Sequence, residues 1–233
     1  MIDFCRPKFW QWWQFCPGQS SMVAIVCLAH YVPPEFLRAA LIFWRHFQLT
    51  HKSSISTNVF DLLETFFETT KKEIDDLKQA GATGFVIGCL NTDFSIDYDS
   101  TSKLINHIGK NFQITFHRAF DIAEIGTLES ALIGLDKLGC DWLLTSGREK
   151  SVTLGKSTLL EIEKIITSSK LNLKLLCGGG VNQSFIESCL RDDCLTSFHG
   201  SFSAQVHCKN DIFDLGPKFE TDKNRLLSVL ALQ

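Results

Sequence analysis

Gln113-Ile-Thr-Phe-His-Arg-Ala-Phe-Asp121 is the stretch that settles what kind of fold this chain adopts. Ile114 and Phe116 alternate with Gln113, Thr115 and His117, the period of two that marks a strand with unlike faces. Where that strand must end, His117, Arg118 and Asp121 crowd an imidazole, a guanidinium and a carboxylate into five residues. Polar groups gathered at the C-terminal end of an apolar strand are how α/β folds build sites. Three later segments share the design: Trp142-Leu-Leu-Thr-Ser-Gly147, Leu173-Lys-Leu-Leu-Cys-Gly-Gly-Gly180 and Ser197-Phe-His-Gly-Ser201.

Outward from these strands the chain alternates helix and strand. Leu63, Phe66, Phe67, Ile74 and Leu77 recur at helical spacing, and Gly81 is placed to close that helix. Gly84 to Leu90 is a buried strand with the polar exit Asn91-Thr-Asp93. Leu128, Ala131, Leu132, Leu135 and Leu138 form a second stripe ending at Gly139, and Leu159, Ile162 and Ile166 form a third. A last helix starts from Thr221 or Asp222 as N-cap and buries Leu226, Leu227 and Leu230. The junctions Lys78-Gln-Ala-Gly-Ala-Thr-Gly-Phe-Val and Lys137-Leu-Gly-Cys-Asp-Trp-Leu-Leu resemble each other: helix end, glycine, small turn, strand.

Strand starts near 84, 113, 141, 173 and 197 are one βα unit apart. Residues 1–60 have room for the missing units: strands at Met1–Cys5 and Met22–Leu28, a helix from Pro34 to about Phe47, and a short strand at Ile55–Phe60. The expectation is one domain over residues 1–233, a TIM-type (β/α)8 barrel of the α/β class. It is firm over 61–201 and irregular or incomplete over 1–60, and a doubly wound open sheet is the structural alternative.

A chain of 233 residues, 45% hydrophobic and 21% charged, can bury one sizeable core. A formal net charge of -3 excludes nonspecific nucleic-acid binding, which needs a basic surface. The apolar run Met22–Ala29 is too short to cross a membrane, and Phe36–Leu49 carries Arg38, Arg45 and His46. Arg6 and Lys8 are followed by tryptophan and glutamine, not by the apolar core of a signal peptide. Nine cysteines without a CxxC pair suit a reducing compartment. A cytoplasmic protein with neither a nucleic-acid nor a membrane partner is expected; a homo-oligomer is left open.

Gly178-Gly-Gly180, with Val181-Asn182 leading into a helix, lets backbone N–H groups approach an anion. His199-Gly-Ser201 follows one strand later, as in barrels whose last two loops bind phosphate. The candidate anion site is therefore Thr145, Ser146, Gly147, Gly178, Gly179, Gly180 and Ser201; the plain alternative is that the glycines make a tight turn. If Ile114, Phe116 and Phe198 face outer helices, His117 and His199 point into the mouth from adjoining strand ends. There they suit acid–base work or metal ligation. Arg118 and Asp121 either pair with each other or leave the arginine to clamp a carboxylate or phosphate. His117, Arg118, Asp121 and His199 are the candidate catalytic residues, while Ser146 has no base close in sequence. Cys89 and Cys177 read as buried small hydrophobes, and Cys5 and Cys27, near the ends of two proposed strands, as soft ligands suited to Cu(I).

Thr115-Phe-His-Arg-Ala-Phe-Asp121, Leu144-Thr-Ser-Gly147, Cys177-Gly-Gly-Gly-Val181 and Phe198-His-Gly-Ser201, in this order and spacing, closely resemble the copper homeostasis protein CutC family. Phe219-Glu-Thr-Asp222 and its helix are similar to the family's C-terminal end. The resemblance implies a TIM-type barrel, a cytosolic setting, copper as partner, and no established reaction. It maps the family's two copper cysteines onto Cys5 and Cys27. The first quarter departs from the pattern: no acidic residue precedes Cys27, and Ile55-Ser-Thr-Asn58 stands where the family carries arginines. A diverged segment, a misread gene model, or a paralogue that kept the fold and lost the site each fit that departure. The rival function is an enzyme acting on a small anionic or phosphorylated substrate at the mouth.

Overall fold

The computed structural model describes residues 26–28, 59–91, 93–192, 194–206 and 218–232. Strand β1 (Val26–Leu28) is followed by helix α1 (Val59–Gln79), β2 (Gly84–Ile87), α2 (Tyr98–Ile108) and β3 (Gln113–Phe116). A 3-10 turn (Arg118–Asp121) leads to α3 (Leu128–Leu138), β4 (Trp142–Thr145), α4 (Lys156–Ser168), β5 (Lys174–Gly178), α5 (Gln183–Asp192) and β6 (Phe198–His199). A hairpin of β7 (Ser203–Val206) and β8 (Lys218–Thr221) precedes α6 (Lys223–Leu230).

Strands β2 to β6 are parallel, and their order in the sheet is their order in the chain. Right-handed crossovers then put every connecting helix on the same face. Successive helices accordingly touch one another, α1 on α2, α2 on α3 and α3 on α4. A doubly wound sheet reverses its strand order at a switch point. No reversal occurs among these five strands, so they are singly wound and not the doubly wound alternative.

At the sheet's other edge, β1 runs antiparallel to β2, with Cys27 opposite Phe85. A strand does form within Met22–Leu28, but it runs against the direction that every strand of a (β/α)8 barrel takes. The described residues make a five-stranded parallel sheet with one antiparallel edge, not a closed ring of eight. Met1–Cys5 and the helix from Pro34 lie outside the described residues. Val59 and Phe60 are helical, so the strand expected at Ile55–Phe60 is replaced over those residues by the start of α1. The β7–β8 hairpin was not foreseen.

The register explains the two faces. Ile87, Phe116, Leu143 and Leu175 form one row across the sheet. All four are buried in a core shared with Leu104, Leu132, Ile162 and Ile186 of the helices. One residue along, Val86, Thr115, Trp142 and Lys174 form the row on the opposite face. There the Lys174 ammonium sits 5.3 Å from the Trp142 ring centre. Phe198 also faces the helices, edge-on to Phe185 of α5 at 6.1 Å. This is the orientation that turns His117 and His199 away from the helices.

The two similar junctions fold alike. Gly81 and Gly139 take φ of +90° and +87°. Gly81 N–H bonds to Lys78 and Ala82 N–H to Leu77, as Gly139 does to Asp136 and Cys140 to Leu135. This paired closure of a helix by a left-handed glycine drops the chain into the next strand. Helix α2 is set by its cap: the Asp97 carboxylate accepts Ser100 N–H at 2.9 Å, and Leu104 and Ile108 are buried below it. Asp222 is the N-cap of α6, as expected, but Leu227 is 48% exposed instead of buried.

Candidate functional site

The C-terminal ends of β3, β4, β5 and β6 lie on one edge of the sheet, because the four strands are parallel and consecutive. His117, Arg118, Asp121, Thr145, Ser146, Gly147, Gly178, Gly179, Gly180, His199 and Ser201 all sit at or just beyond these ends. The topology sets these residues along one edge of the sheet, and the side chains decide which of them meet.

Asp121 is the hub. The turn after β3 brings its carboxylate, 6% exposed, to Arg118 Nε at 2.7 Å. It also reaches across to the loop after β4. Oδ1 accepts the Thr145 hydroxyl proton, Ser146 N–H at 3.1 Å and Arg148 N–H at 3.1 Å. Oδ2 lies 2.9 Å from Ser146 Oγ. Several donors converging on one carboxylate form a nest of the kind that elsewhere holds a bound anion. Here the chain supplies the anion itself.

Arg118 therefore does both things left open for it. It pairs with Asp121, and its Nη2 donates to Ser146 Oγ at 2.8 Å. Its guanidinium also lies against the glycine loop: a Cβ on Gly179 would stand 2.8 Å from Arg118 Cζ and 3.0 Å from Ser146 Cβ. Gly179 holds φ at +110°, a conformation glycine adopts without steric cost. The loops are tied further by Val152 N–H donating to the Gly179 carbonyl at 2.8 Å.

Ser146 proves to have a carboxylate beside it, from a residue 25 positions earlier. Its hydroxyl is nevertheless fully buried, receives a bond from Arg118, and faces both Asp121 and the Glu149 carbonyl. One hydroxyl proton serves only one of those two acceptors. Buried and engaged in this way, Ser146 braces the loop and does not present a nucleophile. Arg148, which the sequence reading passed over, takes φ of +62° and donates to the Phe120 and Ala123 carbonyls, each at 2.8 Å. The signal for it was a polar run, Arg148-Glu-Lys150, directly after a glycine that ends a strand.

The two histidines are not neighbours, because β4 and β5 stand between their strands. His117 turns toward β2, where a Cβ on Gly88 would stand 2.7 Å from its Nδ1. That Nδ1 accepts Ala119 N–H at 3.1 Å, which puts the ring proton on Nε2. His199 is buried and borders Gly178. Burial lowers His117 to about 4, although the nearby Asp121 charge opposes it, and burial lowers His199 to about 4 as well. Both rings are neutral at pH 7. The one acceptor nitrogen of His117 is already taken by Ala119 N–H, which leaves that ring only its Nε2–H to donate, and neither ring carries an imidazolium.

Among the described residues no group of three or more His, Cys, Asp or Glu is placed to hold a metal ion. Cys89, Cys140 and Cys177 are buried, and burial pushes each thiol up to about 12. Cys5 lies outside the described residues, and of Cys27 the strand position alone is described. No described helix is long and apolar enough to cross a membrane.

The family model of the CutC family matches residues 60–204. A family protein CutC from Bacteroides fragilis (strain YCH46) is 35% identical over 143 residues, 61% of this chain and 54% of the relative. A namesake from Xanthomonas campestris pv. campestris (strain B100) is 29% identical over 182 residues, 75% of this chain and 72% of the relative. The chain thus spans about half the length of the Bacteroides relatives it matches. A crystal structure of CutC from Streptococcus agalactiae, provisionally described as a copper homeostasis protein, superposes with a TM-score of 0.52 at 17% identity. That match covers 57% of this chain and 63% of the other, and shows a shared fold. With the family model matching more than half of its length, including all four motif-bearing strand ends, the chain belongs to the CutC family.

Proposed function

We propose that this chain serves copper homeostasis in the cytoplasm as a single domain of the TIM-barrel type, irregular in its N-terminal quarter where β1 runs antiparallel, with Cu(I) as its cargo on the thiolates of Cys5 and Cys27. Family membership over residues 60–204 is the observation that carries this reading. The sequential, singly wound order of β2 to β6 supports the barrel, since only a sheet without a switch point closes on itself. Chemistry supports thiolates: Cu(I) is a soft ion, and sulfur ligands select it over hard cations. Burial pushes the thiols of Cys89, Cys140 and Cys177 up to about 12, which makes them poor ligands at neutral pH. Anaerobic Cu(I) titration of the wild type and of a Cys5→Ser/Cys27→Ser variant tests this. Loss of one equivalent in the variant is expected, and unchanged stoichiometry moves the cargo elsewhere.

A second ligand is proposed for the mouth: a small anion such as phosphate or sulfate. The contact of the Arg118 guanidinium with Gly179 favours it, because charge and side-chain-free backbone meet there. Asp121 already offsets part of the Arg118 charge, so the binding is weak. Phosphate should raise the melting temperature of the wild type more than that of Arg118→Met. Equal shifts would mean a general salt effect and no site.

A further inference from the structure

At the C-terminal end of α5 one backbone turn draws two cysteines together. Cys194 N–H donates to the Cys189 carbonyl at 3.2 Å, and Cys194 Sγ lies 3.6 Å from the same oxygen. The two thiols are within hydrogen-bonding reach of each other. Cys189 is fully buried, whereas Cys194 is partly exposed. Cys194 lines a groove of about 320 Å³ with Leu160, Glu163, Lys164, Thr167 and Ser168, so an ion has a way in. Lys156 stands close by, its ammonium held by Ser188 Oγ at 3.2 Å and Asp192 Oδ2 at 2.9 Å. Burial and the neighbouring Cys194 raise the Cys189 thiol above its ordinary value, and the Lys156 charge opposes that rise only in small part.

We propose that Cys189 and Cys194 form a two-sulfur site for a soft monovalent cation, Cu(I) foremost. It rests on the copper reading for the choice of ion; its ligands are other residues. Thiolate sulfur selects Cu(I). Structural Zn(II) sites need four ligands, and among the described residues no third His, Cys, Asp or Glu completes a group here. On binding, the two S–H protons pass to solvent and two Cu–S bonds form without change of oxidation state. The resulting site carries a single negative charge, and the Lys156 ammonium, already paired with Asp192, lies near it. The sulfur of Cys177, deeper in the core, stays protonated, since burial pushes its thiol up to about 12.

The test uses the full chain, reduced and kept free of oxygen. Cu(I) is delivered from a chromogenic chelator, and bound equivalents are counted for the wild type, Cys194→Ser and Cys5→Ser/Cys27→Ser. In parallel, alkylation followed by mass spectrometry compares Cys194 in wild-type protein with and without Cu(I). Cys194→Ser should lose one equivalent, the Cys5/Cys27 variant should keep that equivalent, and Cu(I) should slow Cys194 alkylation at least tenfold. Full stoichiometry in Cys194→Ser, or equal alkylation rates, overturns the proposal. A loss confined to the Cys5/Cys27 variant also overturns it while leaving the N-terminal reading intact; a loss confined to Cys194→Ser does the reverse. The alkylation arm needs no variant, so poor folding of Cys194→Ser does not remove the test.

Discussion

Asp121→Asn is the most informative single substitution, because it keeps the shape of the hub and changes its chemistry. The carboxylate is 6% exposed and meets donors on both oxygens. Oδ2 takes Arg118 Nε and Oδ1 takes Ser146 N–H, Arg148 N–H and the Thr145 hydroxyl. An amide has one acceptor oxygen, so one of the two positions becomes an NH₂ facing a donor. Flipping the amide gives no relief. With nitrogen at Oδ2 the charged bond to Arg118 is lost; with nitrogen at Oδ1 Arg148 N–H loses its acceptor, the Thr145 hydroxyl faces a donor, and Ser146 N–H keeps only its 3.2 Å bond to Oδ2. The first arrangement is the cheaper, since Arg118 keeps access to water at 31% exposure. Losing one charge-assisted bond costs about 1.5–3 kcal/mol, and misplaced donors add to it. A total of about 2–4 kcal/mol is expected.

For a chain of this size that loss corresponds to a fall in melting temperature of roughly 4–16 °C, at about 2–4 °C per kcal/mol. Urea unfolding followed by tryptophan fluorescence gives the free energy directly. A double-mutant cycle with Arg118→Met isolates the pair, and about 1.5–3 kcal/mol of the loss should appear as coupling. Destabilisation under about 0.5 kcal/mol, or additive effects in the cycle, would refute the hub, because that is the range of surface substitutions away from any special feature.

Thr145→Val removes a buried hydroxyl that donates to Asp121 and accepts Gly147 N–H at 2.9 Å; it should cost about 1–3 kcal/mol, and Thr145→Ser should restore most of it in the same urea assay. Gly179→Ala places a Cβ 2.8 Å from Arg118 Cζ at a φ of +110°, and should cost about 1–3 kcal/mol in thermal unfolding. Gly126→Ala meets its nearest neighbour at 3.8 Å and should stay within about 0.5 kcal/mol, so equal effects would discount the crowding at Gly179. The buried histidines make stability fall with acid: His199 is lowered to about 4 by burial, so the unfolded chain binds the proton first. That contribution is whole above the ordinary value near 6.5 and is lost as pH falls toward 4. Glu73, raised to about 7 by burial and by Asp76, acts oppositely between 4.5 and 7, which makes a difference measurement necessary. His199→Gln should flatten the stability profile between pH 6.5 and 4.5 by up to about 1.4 kcal/mol per pH unit, and an unchanged slope would contradict a buried neutral ring.

Much of the fold was legible because its determinants are local. The stripes Leu128–Leu138 and Leu159–Ile166 bury as read, and each parallel strand begins within a residue of its expected start. What was not legible depends on partners far along the chain. A short apolar run marks Met22–Leu28 as a strand but carries no sign of its direction, which comes from the pairing of Val26–Leu28 with β2 more than fifty residues later. The β7–β8 hairpin joins segments twelve residues apart without a two-residue turn signal between them. Leu227 was placed inside by its spacing with Leu226 and Leu230, yet a short helix with three leucines leaves its rotation to whatever it packs on.

The site was legible as a set of residues and illegible as a division of labour. Arg118 and Asp121 are three apart within one 3-10 turn, so their pairing follows from local geometry. Nothing local reveals that the same carboxylate gathers the N–H groups of Ser146 and Arg148. That contact follows from β3 and β4 being neighbours in a parallel sheet. Its consequence reaches the chemistry of the mouth. The donors after β4 are spent on Asp121 and are closed to a ligand, and Ser146 is locked beneath them. An anion arriving at this edge must then be met by the outer side of the Arg118 guanidinium and by the backbone of Gly179 and Gly180. Side chains that could cut or transfer a bond lie in the layer below, where they hold the strand ends in register.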